Sequence, residues 1–260
     1  MTPVSTRRLP FALACVLLLA ACGANQTPAQ LGPDALYERG MAAYRSGSWG
    51  RAAELLDLFL QGSTGDPRTH EARISLARAR MQRREYVLAA GDFTRLLNES
   101  PPDSLQLPAR FGLCEAYHSL SPRPQLDQEY TGGALAYCES VATAYPGTPQ
   151  AGRAAEWVGG MKTKLAQKSY ENGMFYFKRG AYDAAVIYFN EAVEQFSDTS
   201  VAPAALLRVV ESYDRIGYKE EAAEARARLL RDYPQSMEAR SLQPAAPPTG
   251  PPTPGTGTGG

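Results

Sequence analysis

The sequence predicts an all-α fold made of repeated helix hairpins, and three observations carry that prediction. Apolar residues recur at three- and four-residue spacing through residues 35–234, with no sustained period-two alternation, which is the pattern of amphipathic helices and not of half-buried strands. Glycine and proline fall mostly at the joints between those stretches. The chain is also self-similar, with five alanines in matching surroundings, as expected when each unit repeats one packing problem.

The first segment stands apart from this pattern. Arg7 and Arg8 precede an apolar run over residues 9–21 that is broken only by Pro10, the arrangement of an export signal. Its 13 residues fall short of the roughly 20 that span the hydrocarbon core as a helix. The run ends in Leu19-Ala20-Ala21-Cys22, which resembles the bacterial lipobox. The expectation is that residues 1–21 are removed and that Cys22 takes a covalent lipid, the only cofactor-like group foreseen. An ordinary signal peptide that leaves Cys22 a free thiol is the competing reading. With Gly23 following the cysteine, lipoprotein sorting patterns imply the periplasmic face of the outer membrane. Removal of Arg7 and Arg8 leaves 25 basic and 27 acidic residues and a net charge near −2, so nothing points to nucleic acid.

Residues 22–33 read as a flexible linker and residues 34–242 as the folded repeat domain. The anchors are Ala52, Ala89, Ala134, Ala185 and Ala222. Five residues before them stand Gly47, Arg84, Glu129, Gly180 and Gly217, and glycine there lets a helix stop and turn. Three before them stand Trp49, Tyr86, Thr131, Tyr182 and Lys219. Four and seven residues after them an apolar stripe follows one helix face, through Leu56 and Phe59, Phe93 and Leu96, Cys138 and Val141, and Phe189 and Ala192. Twelve residues before the anchors, Gly40, Ala77 and Gly173 mark the partner helix, where small residues let two helices approach. The pattern resembles the tetratricopeptide repeat, in about five copies.

The array is irregular, because the anchor spacings are 37, 45, 51 and 37 residues. The excess before Ala134 is a Pro-rich polar stretch, residues 121–130, read as a loop inside repeat three. The excess before Ala185 contains no breaker, so residues 150–178 read as one long helix opened by the N-cap pair Thr148-Pro149. Asp66-Pro67 reads as the same device for repeat two. A short piece up to Leu242 caps the array, and residues 243–260 form a Pro, Gly and Thr tail too poor in large apolar residues to fold alone.

Catalytic chemistry is not apparent. His70 and His118 lie in different repeats without partners at metal-ligand spacing, and no phosphate loop or nucleophile elbow occurs. Cys114 and Cys138 lie on the two helices of repeat three, where they either form a disulfide or act as small apolar fillers. Two free thiols in the non-reduced protein would exclude the bond. Contact residues are sought on the first helices, whose outer faces line the groove of such an array: Tyr37, Met41, Tyr44 and Arg45, and Arg78 in repeat two. Solvated helix residues are the competing reading for Arg45 and Arg78.

Beyond the repeats, several stretches resemble the BamD family of outer-membrane β-barrel assembly lipoproteins. They are Leu36-Tyr37-Glu38-Arg39-Gly40 with Gly47-Ser48-Trp49, Leu126-Asp127-Gln128-Glu129-Tyr130-Thr131, Ala144-Tyr145-Pro146-Gly147-Thr148-Pro149, and Lys164-Leu165-Ala166 running to Phe177-Lys178-Arg179-Gly180-Ala181-Tyr182. The resemblance implies a non-enzymatic scaffold that takes part in assembly and insertion of β-barrel proteins into the outer membrane. Its first repeats would receive unfolded outer-membrane proteins, its last repeats would hold the barrel subunit BamA around Arg179, Arg215 and Tyr218, and other assembly lipoproteins would join. A periplasmic tetratricopeptide adaptor of the Tol-Pal system or of peptidoglycan is the alternative.

Overall fold

The computed structural model describes residues 27–243. The expected signal segment, the expected lipid-bearing Cys22, and residues 244–260 of the tail lie outside the described residues. The chain divides into two compact units at Ser119 and Leu120.

The first unit opens with a short 3-10 turn, Pro28–Gln30, that leads into α1 (Pro33–Arg45), α2 (Trp49–Gly62), α3 (Thr69–Gln82), α4 (Tyr86–Asn98) and α5 (Asp103–Leu120). The linker expected over residues 22–33 is therefore shorter, because Leu31 is already buried in the first core cluster. In this unit α1 packs on α2, α2 on α3, and α3 on α4. The second unit holds α6 (Glu129–Ala144), α7 (Pro149–Phe177), α8 (Tyr182–Gln195), α9 (Ala202–Ile216), α10 (Lys219–Asp232) and a short α11 (Met237–Ser241). There α6 packs on α7, α7 on α8, α8 on α9, and α9 on α10, while α11 closes against α9 and α10.

The repeat pattern explains the cores. The anchor alanines are fully buried or nearly so, and the positions seven residues later, Phe59, Leu96, Val141, Ala192 and Leu229, are all at 0% exposure. The small residues twelve before the anchors work by absence of a side chain. A Cβ on Gly40 would stand 2.8 Å from Leu56 Cδ2, and one on Gly173 would stand 2.5 Å from Phe189 Cδ1. At the hairpin turns Gly47, Gly180 and Gly217 take left-handed backbone (φ +74°, +76° and +91°), and in repeat two Arg84 takes the same slot at φ +62°.

Thr148 caps α7 as expected, its Oγ1 accepting from Ala151 N at 3.2 Å with Pro149 in the first turn. Asp66-Pro67 does not open α3. Asp66 Oδ1 instead accepts from the Arg68 backbone (2.8 Å) and from its guanidinium (2.9 Å), which holds a separate turn and delays the helix to Thr69.

Candidate functional site

In the first unit, the residues expected to line a groove separate into two groups. Tyr37 and Met41 are buried (8% and 7% exposed) in the core and are corrected as contact residues. Among the described residues no hairpin precedes α1, and Leu31 and the turn before α3 pack against this face. Arg68 is the centre of that cover. Its guanidinium lies 4.8 Å from the Tyr37 ring centroid and 5.4 Å from that of Phe59, and it pairs with Asp66 (2.6 Å) and Asp34 (2.8 Å). The pairing holds the Asp66 carboxyl down to about 2. Tyr37 Oη donates to Glu71 Oε2 at 2.8 Å, and burial with this acidic neighbour pushes its pKa up to about 12. Tyr44 is half-buried with its ring edge-on to Trp49, whereas Arg45 and Arg78 are exposed and make no hydrogen bond or ion pair among the described residues. Cys114 is fully buried on α5.

In the second unit, Arg179 and Arg215 each lie near the end of a hairpin's first helix beside an aromatic ring. The Arg179 guanidinium stacks 3.5 Å above the half-exposed Phe175 ring, and its Nη1 donates to Phe175 O at 3.1 Å. Arg215 Nη1 donates to Tyr182 Oη at 3.2 Å. Tyr218 is 48% exposed and stacks on Tyr213. Cys138 is fully buried on α6. Sequence reasoning did not identify Phe175. It lies two residues from the core-facing Gly173, roughly 200° round the helix, so the periodicity did carry the signal.

The polar residues of the repeat-three segment also find a purpose here. The Gln128 amide donates to Arg123 O (2.9 Å) and Leu126 O (3.0 Å), its Oε1 accepts from Thr131, and Asp127 accepts from the Glu129 backbone at the start of α6. From α7, Lys164 donates to Ser121 Oγ at 2.7 Å and Lys168 to Leu126 O at 2.8 Å, which ties the loop to the long helix.

Comparison with known proteins agrees with these features. Residues 29–229 match the family described as YfiO, outer membrane lipoprotein. The outer membrane protein assembly factor BamD of Caulobacter vibrioides is 30% identical over 202 residues, which are 76% of this chain but 65% of that protein, so the match spans less than two thirds of its length. BamD of Rickettsia prowazekii is 26% identical over 201 residues, 77% of this chain and 80% of that one. Among solved structures, a TPR repeats protein of Bacteroides fragilis aligns at a TM-score of 0.45 with 13% identity, covering 81% of this chain and 95% of that one. With its hairpins and its repeat-three loop inside the matched span, the chain belongs to the YfiO family of outer membrane lipoproteins, the family of the assembly factor BamD.

Proposed function

We propose that this chain is a non-enzymatic scaffold of outer-membrane protein assembly, anchored by a lipid on Cys22 at the periplasmic face of the outer membrane. The observation that carries the reading is the family match over residues 29–229, which runs from the first turn to α10. In this reading the last two hairpins bind the barrel subunit BamA. Arg179 and Arg215 offer cations held in place by Phe175 and Tyr182, and Tyr218 offers an exposed ring. Arginine and tyrosine are the residue types that concentrate binding energy at interfaces, because little freedom remains to be lost when they are already ordered. Tyr44, Arg45 and Arg78 in the first unit meet unfolded outer-membrane proteins, and other assembly lipoproteins complete the partners.

Arg179→Glu with Arg215→Glu should lower co-purification of BamA from detergent extracts at least tenfold and leave the helical content unchanged. Unchanged recovery would remove this surface from the reading. Arg45→Glu with Arg78→Glu should leave BamA recovery intact and reduce cross-linking to a nascent barrel substrate.

A further inference from the structure

Between the repeat-three loop and α7 the second unit opens a groove of about 370 Å³. Phe175 and Tyr176 on α7 and Tyr188 on α8 supply its rings, and Pro124 and Gln125 come from the loop. The rings form a strip, since Phe175 meets Tyr176 edge-on at 5.2 Å and Tyr176 stacks on Tyr188 at 5.3 Å and 5°. Tyr176 also packs against the hairpin core, which closes through Gly173, Phe177 and Phe189, whereas Phe175 stands 49% exposed. Lys168 and Asn172 add hydrogen-bond donors along the same wall.

Aromatic strips with nearby donors suit a polyproline helix, whose rings pack on the aromatic faces while its carbonyls accept hydrogen bonds. The chain carries such a ligand. Residues 244–260 contain six prolines and no charge, and Pro248, Pro251 and Pro254 recur every three residues. Three residues make one polyproline turn, so in that form these three rings would fall on one edge. We propose that residues 244–260 dock in cis, in extended polyproline form, in the groove lined by Phe175, Tyr176 and Tyr188.

Reach permits it. The last described residue, Gln243, follows α11, which packs within the same unit. At about 3.1 Å per residue, Pro248 reaches about 15 Å from Gln243 and Pro254 about 34 Å. A unit of this size has a radius of gyration of about 14 Å. A tethered ligand has an effective concentration in the millimolar range, so a contact too weak to hold a free peptide is populated in cis. Because Arg179 stacks on Phe175, the docked tail would lie beside the surface assigned above to BamA, yet the inference requires no partner.

The test is a cross-linking probe, Phe175→p-benzoylphenylalanine, in the purified full chain in detergent. No Lys or Arg follows Arg240, so trypsin leaves residues 241–260 as one peptide. The expected result is a cross-link from position 175 to that peptide, with a yield independent of protein concentration. Replacing Pro248, Pro251 and Pro254 by serine should cut the yield at least fivefold. The same probe at Ile187, an exposed α8 residue outside the groove, should capture little. No link to residues 241–260, an equal yield at Ile187, or a yield that rises with concentration and so comes from a second copy would each overturn the proposal.

Discussion

The two units build the same hairpin and hold it with different chemistry. In residues 27–119 the helices are tied by arginine and carboxylate pairs. Arg80 on α3 reaches Asp57 on α2 (3.3 Å) and Asp92 on α4 (2.6 Å), and Arg73 meets Glu99 at 2.9 Å. In residues 120–243 ion pairs between helices, such as Arg226 with Asp214, are exposed, and the buried joint around Phe189 is aromatic. Phe189 has Tyr170 at 5.6 Å and Phe177 at 6.3 Å, and Phe177 meets Tyr182 edge-on at 5.3 Å. Ion pairs depend on partner identity and proton count, whereas rings depend on volume and contact area. The first unit should therefore respond to charge and pH, and the second to shape.

The largest effects should come from the centre of each joint. Asp92 is only 5% exposed, so Arg80→Leu strands a buried carboxylate and should cost about 3–5 kcal/mol. Replacing both partners by leucine should recover most of that loss. Phe189→Ala should cost a similar 3–5 kcal/mol, and no second substitution that alters charge should restore it. Denaturant midpoints of the four proteins decide the matter. Full recovery of Phe189→Ala by a charge change, or none for the Arg80 and Asp92 double variant, would break the contrast.

A smaller effect separates the hairpin turns. Gly180 occupies left-handed backbone at φ +76° in the second unit, and Arg84 occupies it at φ +62° in the first. A residue with a Cβ pays about 1–2 kcal/mol for that conformation. Arg84→Gly should thus raise stability by up to about 1 kcal/mol, after glycine's larger entropy in the unfolded chain is subtracted, and Gly180→Arg should lower it by about the same amount. Thermal midpoints moving in the same direction would show that the two turns are not equivalent.

Much of this architecture was legible in the sequence because the repeat constrains it. The stripe seven residues after each anchor became the buried seam, the long stretch without a breaker became α7, and the polar excess in repeat three became the loop at residues 121–128. Tyr37 and Met41 were misread because the groove rule assumes a preceding hairpin, and none precedes α1 among the described residues. Contacts in both units were written one repeat apart: Asp34 with Arg68 and Tyr37 with Glu71 are both separated by 34 residues, and Tyr182 with Arg215 by 33. Searching for complementary pairs at the repeat length would have found them. The aromatic groove beside the loop was less accessible, because it depends on how Lys164 and Lys168 tie the loop down.

The smallest expected effect tests the charge side of the comparison from within the first unit. Asp66 and Asp92 share an ordinary pKa of 3.8 and are displaced in opposite directions. Hydrogen bonds from Arg68 hold Asp66 near 2, so the stability it contributes is present above 3.8 and is lost as pH falls through about 2. Burial raises Asp92 despite the Arg80 cation, so between 3.8 and its folded pKa the folded form keeps a proton that the unfolded chain has released. Its contribution is therefore largest below 3.8 and is lost as pH rises through the folded pKa. Asp66→Asn should flatten the acid side of the urea midpoint profile, and Asp92→Asn should remove a gain there. If both variants shifted the profile in one direction, burial would not be the force that governs Asp92, and the Arg80 pair would belong with the surface pairs around Arg68.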